Sequence, residues 1–252
     1  MVAVLSILKH WLTVVGALAM VIMGMAIDYA FGIAGLLAIF IFFISSELIG
    51  LIKNEKKAVH ETRTVFQVMA NGGVPLITAL GAIIFPHPLW CMAYLVSVAE
   101  ASADTWASEL GKLKAGSPFH LKFRKRVPTG VSGAISWPGS LAALIGSMLI
   151  ALYGSLTYYS DHFSIGCLMF IFISVCGWLG QFIDTLLGAY GQACYHCQRC
   201  ETYTDSPIHC DIKTRLISGY PWMTNNLVNG YSSLFAGLLG SFVYILIQPW
   251  IK

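Results

Sequence analysis

The stretch "LWCMAYLVSVAEASADTWASELG", residues 89–111, carries no charge from Leu89 to Val98 and then three carboxyl groups, Glu100, Asp104 and Glu109. Its first half has the composition of a segment solvated by lipid. Carboxylates inside a bilayer are expensive, and they face a polar cavity or a partner. The stretch therefore reads as a membrane helix whose last turns, in "ASADTWASELG" (101–111), serve a polar function.

The rest of the chain agrees with that reading. Of its 252 residues, 57% are hydrophobic and only 11% charged, and its mean hydropathy is +0.72; soluble domains carry about 25% charged residues. A membrane-spanning helix needs roughly 20 apolar residues. Seven runs approach that length, at about 8–27, 29–52, 65–85, 87–110, 133–157, 163–190 and 227–249. The residue alternation of a membrane barrel is missing, which leaves helices as the spanning element. The expected fold is an all-α integral membrane protein, one polytopic domain over residues 1–252 with about seven transmembrane helices. A Cys-rich loop occupies 193–226.

Positive charge sets the expected orientation. Lys53, Lys56, Lys57 and Arg63 lie in the second loop, Lys112 to Arg126 in the fourth, and Arg199, Lys213 and Arg215 in the sixth. The intervening connections hold no Lys or Arg. Loops rich in these residues stay cytoplasmic, so the N-terminus is expected inside. In a prokaryote the host bilayer would be the cell membrane. Basic loops also touch anionic lipid. Without interleaved aromatic residues they do not form a nucleic-acid stripe.

With this topology the polar residues gather in one layer at the cytoplasmic boundary. The third span brings Asn71, the fourth Glu100, Asp104 and Glu109, the sixth Asp184, and the seventh Asn225, Asn226 and Asn229. Glu100 and Asp104 are four apart, on one helical face. Glu109, about 140° further round, need not share it. Carboxylates beneath basic loops call for a third component. Magnesium with phosphate supplies it, the carboxylates taking the cation and the basic residues the phosphate oxygens.

Two glycine-rich stretches fit phosphate. "NGGVP" (71–75) is expected to break its helix, because two glycines precede a proline; the freed N–H groups at Gly72 and Gly73 would bind an anion. "RVPTGVSGAISWPGS" (126–140) is expected to lead into a helix N-terminus presenting Ser132, Gly133 and Ser136 to phosphate. An ordinary capped turn is the simpler alternative there. The spacing of a Walker loop occurs nowhere.

The Cys-rich loop contains "CYHCQRC" (194–200), followed by His209-Cys210. On a reducing face, metal binding outranks disulfides. Cys197, Cys200, His209 and Cys210 complete a tetrahedral structural zinc set, with free thiols as the alternative. Cys194 is a further candidate ligand, because adjacent His209 and Cys210 are not expected to reach one ion easily.

Taken in order, "RTVFQVMANGGVP", "ADTWASELG", "RVPTGVSGAIS", "IDTLLGA", the Cys-rich loop and "WMTNNLVN" resemble a family of polytopic membrane proteins that includes the plant phytyl-phosphate kinase of vitamin E synthesis. The resemblance runs from about residue 60 to the end. It implies an isoprenoid-monophosphate kinase that passes the terminal phosphoryl group of a nucleoside triphosphate to a prenyl or phytyl monophosphate. A more distant likeness to CTP-dependent membrane enzymes puts CTP among the donors to expect. On this reading Asp104 and Asp184 hold Mg2+, and Asn71 and Asn229 orient phosphates. Arg63, Arg124, Lys125 and Arg126 hold the anionic substrates, with Glu100 and Asn226 beside them; Glu100, one turn deeper, is expected to support Asp104 or a helix neighbour rather than bind the metal directly. Thr224 and Asn226 stand where the family pattern has acidic residues, so no metal role carries over to that segment. Val131 and Ala134 also depart from the usual hydroxyl or glycine. A cytidylyltransferase acting on a lipid phosphate would use the same groups. A lipid or ion transporter would favour binding groups at the midplane and repeated halves, which this sequence lacks.

Overall fold

A computed structural model describes residues 6–7, 11–52, 62, 64–114, 116–160 and 162–250. Six long helices make up most of it: α1 (Val14–Ile52), α2 (Val65–Ile84), α3 (Leu89–Lys114), α4 (Trp137–Tyr158), α5 (Phe163–Tyr190) and α6 (Asn225–Ile247). Five are long and apolar enough to cross a membrane. The exception is α3, which carries the carboxylates of the opening stretch. It is nevertheless the centre of the bundle, in contact with all five other helices. Its residues Met92, Tyr94, Leu95, Val96, Val98 and Ala99 are shielded almost completely.

The first helix is not one rod. Gly32 has φ 68° and ψ −171°, a conformation open only to glycine, and the chain doubles back there. Trp11 and Phe43, more than thirty positions apart, place their ring centroids 6.1 Å from each other; a straight helix would separate them by roughly 48 Å. The reversal exposes backbone carbonyls inside an apolar bundle, where they need donors. Tyr94 donates to the Gly35 carbonyl at 2.6 Å, Tyr153 to Ala34 at 2.8 Å and Tyr158 to Phe31 at 3.2 Å. Three tyrosines thus clamp the hairpin to α3 and α4. The apolar runs of the sequence place the boundary at Asp28 instead; that residue is exposed and lies inside the helix.

The expected break at "NGGVP" does not occur. Residues 71–75 are helical within α2, with Pro75 inside it. Gly72 serves packing instead: a Cβ there would run into the Met23 side chain of the α1 hairpin. The broken-helix expectation is corrected for this segment. Gly73 and Pro75 are ordinary positions of a membrane helix, in which neighbouring helices accommodate such residues.

The two long loops are not irregular, a second departure from the all-α expectation. Between α3 and α4, β1 (Phe119–His120) pairs with β2 (Lys125–Arg126) and β3 (Ala134–Ile135). Between α5 and α6, β4 (Cys194–Cys197) pairs with β5 (Thr202–Thr204) and β8 (Arg215–Ser218), while β6 (Ile208–His209) and β7 (Ile212–Lys213) form a separate hairpin. Both modules cap the same end of the bundle and touch. Lys122 Nζ donates to Ser218 Oγ at 2.6 Å, and the Phe123 and Tyr203 rings lie 6.2 Å apart. His120 is buried beneath the first module, and burial holds its imidazole below the usual value. Its neutral Nδ1 accepts from the backbone N–H of Lys122 and Phe123, both at 3.2 Å.

Large apolar side chains such as Leu18, Ile22, Leu152 and Leu238 are exposed along the helices, as a lipid-facing surface requires. Trp137, Tyr220 and Trp222 are exposed beside the β modules, where interfacial aromatics sit in membrane proteins.

Candidate active site

A cavity of about 1,180 Å3 opens between the helices beneath the two β modules. Its character changes along its length. Asn71, Asp104, Asp184 and Asn229 form a polar end, and Met20, Met23, Ile27, Leu36 and Phe40 of the α1 hairpin line an apolar stretch. Ligand pockets are generally about 300–1,000 Å3, so this one is large enough for an elongated amphiphile.

Four helices build the polar end. Asp104 of α3 and Asp184 of α5 bring their carboxyl groups within hydrogen-bonding reach of each other. Two carboxylates at that separation repel unless a proton or cation is shared between them. From α6, Ser232 Oγ lies 2.8 Å from Glu100 Oε1, 3.4 Å from Asp184 Oδ2 and 3.0 Å from the Asn229 carbonyl. The Asn229 side chain donates to Asn71 Oδ1 of α2 at 3.3 Å. A single hydroxyl thus joins the buried Glu100 to the Asp184 carboxyl on the cavity wall.

Glu100 itself is 2% exposed and is not among the cavity-lining residues. Its expected place beside the substrate is corrected: it stands behind the wall, against Gly180, where an added Cβ would meet Glu100 Cγ at 2.6 Å and Ala236 Cβ at 2.8 Å. Glu109 does line the cavity, although helical spacing left it free to point elsewhere.

The glycine-rich segment 126–140 contributes differently from a phosphate-binding helix N-terminus. Helix α4 begins only at Trp137, and Ser136 Oγ is its cap, accepting from Gly139 N at 3.2 Å. Ser132 donates to Gln192 Oε1 at 2.7 Å. Gly133, at φ 77°, packs so closely on α5 that a Cβ would collide with the Ala189 backbone. All three residues line the cavity, as a side wall formed by the turn before the helix.

The basic cluster lies elsewhere. Among the described residues no Lys or Arg lines the cavity. Arg126 donates to the Ser117 carbonyl at 2.9 Å, and Lys125 reaches Tyr203 OH at 3.4 Å. Arg124 turns the β1–β2 loop at φ 50°. These three belong to the exposed face of that loop, so their expected contact with substrate is corrected. Arg63 falls outside the described residues. Asn226 and Gly72 line the cavity; Gly73 does not. Sequence reasoning missed Gln181, whose Nε2 donates to Thr185 Oγ1 at 2.9 Å on the wall, and Ser232. Ser232 is three residues after Asn229, on the same helical face, and that spacing was the available signal.

Residues 1–237 match the family described as integral membrane protein DUF92. The chain belongs to the DUF92 family of integral membrane proteins. It is 34% identical to an uncharacterized membrane protein of Methanocaldococcus jannaschii over 69% of this chain and 72% of that one. Identity to an uncharacterized membrane protein of Synechocystis is 25%, over 86% of this chain and 77% of the relative. The chloroplastic protein VTE6 of Arabidopsis thaliana is 24% identical over 94% of this chain and 67% of its own. No solved structure matches. The DUF92 match takes in α2, α3 and α5 and the first half of α6, and with them Asn71, Asp104, Asp184, Asn229 and Ser232.

Proposed function

We propose that this DUF92 protein is a membrane isoprenoid-monophosphate kinase, moving the γ-phosphoryl group of a nucleoside triphosphate to a prenyl or phytyl monophosphate. CTP is the first donor to test. The observation that carries this reading is the Asp104–Asp184 pair at the polar end of a cavity whose other end is apolar. An amphiphile with a phosphate head matches that gradient. The motif resemblance to the family that includes phytyl-phosphate kinase supports the same class.

The donor set suits magnesium, a hard cation held by one or two carboxylates and by substrate phosphates. Asp104 and Asp184 would hold it, and it would supply charge neutralisation between two polyanions. Phosphoryl transfer asks the protein mainly for positioning. The acceptor is already an anion, so an oxygen of the prenyl phosphate attacks the γ-phosphorus directly. The β–γ bridging bond breaks, and the nucleoside diphosphate leaves with the electron pair. Asn71 and Asn229, linked across α2 and α6, present amide groups to orient phosphate oxygens. Ser232 fixes Asp184 from behind. Met20 and Met23 are adaptable apolar side chains, suited to a branched tail. Arg63 is retained as the basic group for phosphate. Arg124, Lys125 and Arg126 are assigned to anionic lipid headgroups.

In the bilayer, the two arms of α1 and the other five helices would make seven crossings, with the N-terminus and the β modules in the cytoplasm. The positive loops support this orientation.

The test is an assay of purified protein with CTP labelled at either the α- or the γ-phosphorus, and with γ-labelled ATP, GTP and UTP, against farnesyl, geranylgeranyl and phytyl phosphates. Label transferred from the γ-position alone is the expected result. Transfer from the α-position would make the protein a cytidylyltransferase, and no transfer from any nucleoside triphosphate would end the kinase reading.

A further inference from the structure

The second concentration of reactive side chains lies in the loop between α5 and α6, away from the carboxylates. Cys197, Cys200, His209 and Cys210 place one ligand atom each within 4.8 Å of all the others. His209 Nδ1 lies 3.4 Å from Cys200 Sγ and 3.3 Å from Cys210 Sγ. A tetrahedral zinc ion with Zn–S of about 2.3 Å and Zn–N of about 2.0–2.1 Å spaces sulfur and nitrogen by about 3.6 Å, and two sulfurs by about 3.8 Å. The observed cluster needs only small adjustments to meet that geometry.

The backbone explains how adjacent His209 and Cys210 both take part. Strands β6 and β7 are joined by Cys210 and Asp211, at φ 52° and 61°. Two successive left-handed residues are the mark of a type I′ hairpin turn, and neither is the glycine that usually adopts it. The turn brings the Cys210 thiol back towards the ring of the residue before it. On the other side, Cys197 ends β4 and Glu201, at φ 53°, follows Cys200 before β5. Two separate hairpins, β4–β5 and β6–β7, therefore present their tips to one point. Arg199 bonds the same tips together by donating to the Cys210 carbonyl at 3.0 Å.

We propose that these four residues form a closed structural zinc site that clamps the two hairpins and, through them, holds one wall of the cavity. Three thiols and one neutral imidazole fill a four-coordinate shell and leave no position for a catalytic water. The thiols lose their protons on binding. The link to the cavity is strand β4: Cys197 sits at one end, and Cys194, three residues and about 10 Å away along the strand, lines the cavity at the other. Tyr203 and Thr204 of the paired strand β5 line it too. Cys194 is outside the cluster, which leaves these four of the five candidate ligands.

The test needs no assumption about the reaction. Purified full-length protein, kept reduced in detergent, should contain about one zinc per chain by elemental analysis. Cys197→Ser and Cys200→Ser should lower that content at least about tenfold, whereas Cys194→Ser should retain it. Cobalt added to chelator-stripped wild-type protein should give the visible spectrum of a tetrahedral thiolate complex, a check that does not depend on any variant folding. Tryptic cleavage at Arg199 and Arg215 should speed up about tenfold when the metal is stripped and slow again when zinc is restored. Wild-type protein that neither contains zinc nor takes up cobalt overturns the site, as does zinc retained in a Cys197→Ser/Cys200→Ser protein, or iron found in its place. Cleavage rates indifferent to zinc would overturn the clamp.

Discussion

Ser232→Ala tests the inner support of the site, because the Ser232 hydroxyl has one proton and three oxygen neighbours: Glu100 at 2.8 Å, the Asn229 carbonyl at 3.0 Å and Asp184 at 3.4 Å. Removing it leaves the Glu100 carboxyl, 2% exposed, without its short bond. Stranding a buried polar group costs about 1–3 kcal/mol. For a chain of this size each kcal/mol lowers Tm by about 2–4 °C, so the expected loss is about 2–12 °C in detergent. Glu100→Gln keeps an acceptor for Ser232 and should cost less. The double variant Ser232→Ala/Glu100→Met removes both partners together, and replacing both by apolar groups is close to neutral. It should recover at least half of the Ser232→Ala loss. In turnover, Ser232→Ala should lower kcat with KM held within about twofold, as expected for a group that acts through Asp184 on the transition state. An unchanged Tm in Ser232→Ala, or a double variant worse than the sum of its parts, would refute the proposed support.

Gly133→Ala should destabilise by more than about 3 kcal/mol, since it combines overpacking against Ala189 with a left-handed backbone unsuited to alanine; thermal unfolding of the detergent-solubilised variant reads it. The triple variant Arg124→Ala/Lys125→Ala/Arg126→Ala should keep kcat within about threefold and lose binding to vesicles rich in anionic lipid, because those side chains stand outside the cavity; a collapse of kcat would place them at the substrate after all. Gly24→Phe narrows the apolar stretch of the cavity and should reduce kcat/KM for a geranylgeranyl acceptor more than for a geranyl one.

The sequence spoke clearly where long stretches act together. The apolar run at 163–190 coincides with α5, and the runs near 65–85 and 227–249 lie within two residues of α2 and α6 at each end. The carboxylate layer was legible because every other polar group was scarce: Asp104, Asp184, Asn71 and Asn229 do converge. What stayed hidden depended on a single neighbour. The glycines of "NGGVP" read as a break, and only the Met23 side chain lying on Gly72 shows that glycine to be a packing position. Arg124 to Arg126 stand outside the cavity lining on a turn and a strand of only two residues, too short to leave a periodic pattern. Cys210 and Asp211 adopt a turn normally announced by Asn-Gly or Asp-Gly, and nothing in their identity signals it. Helix-length hydrophobicity survives a change of neighbours, whereas a close approach or a two-residue turn is decided by them.

The measurement that bears most directly on the central claim is γ-phosphoryl transfer from CTP to a prenyl monophosphate as a function of Mg2+, in wild type, Asp104→Asn and Asp184→Asn. The proposed cation between the two carboxylates offsets the repulsion between two phosphates, a repulsion that grows steeply at low dielectric. Wild-type transfer should saturate with Mg2+ and vanish in excess EDTA. Each variant should fall at least about a thousandfold while retaining the wild-type Tm within about 5 °C, since neutralising one member of a repelling pair does not unfold the bundle. Folded Asp104→Asn or Asp184→Asn protein that turns over within about tenfold of wild type, or transfer that persists without divalent cations, would contradict the account.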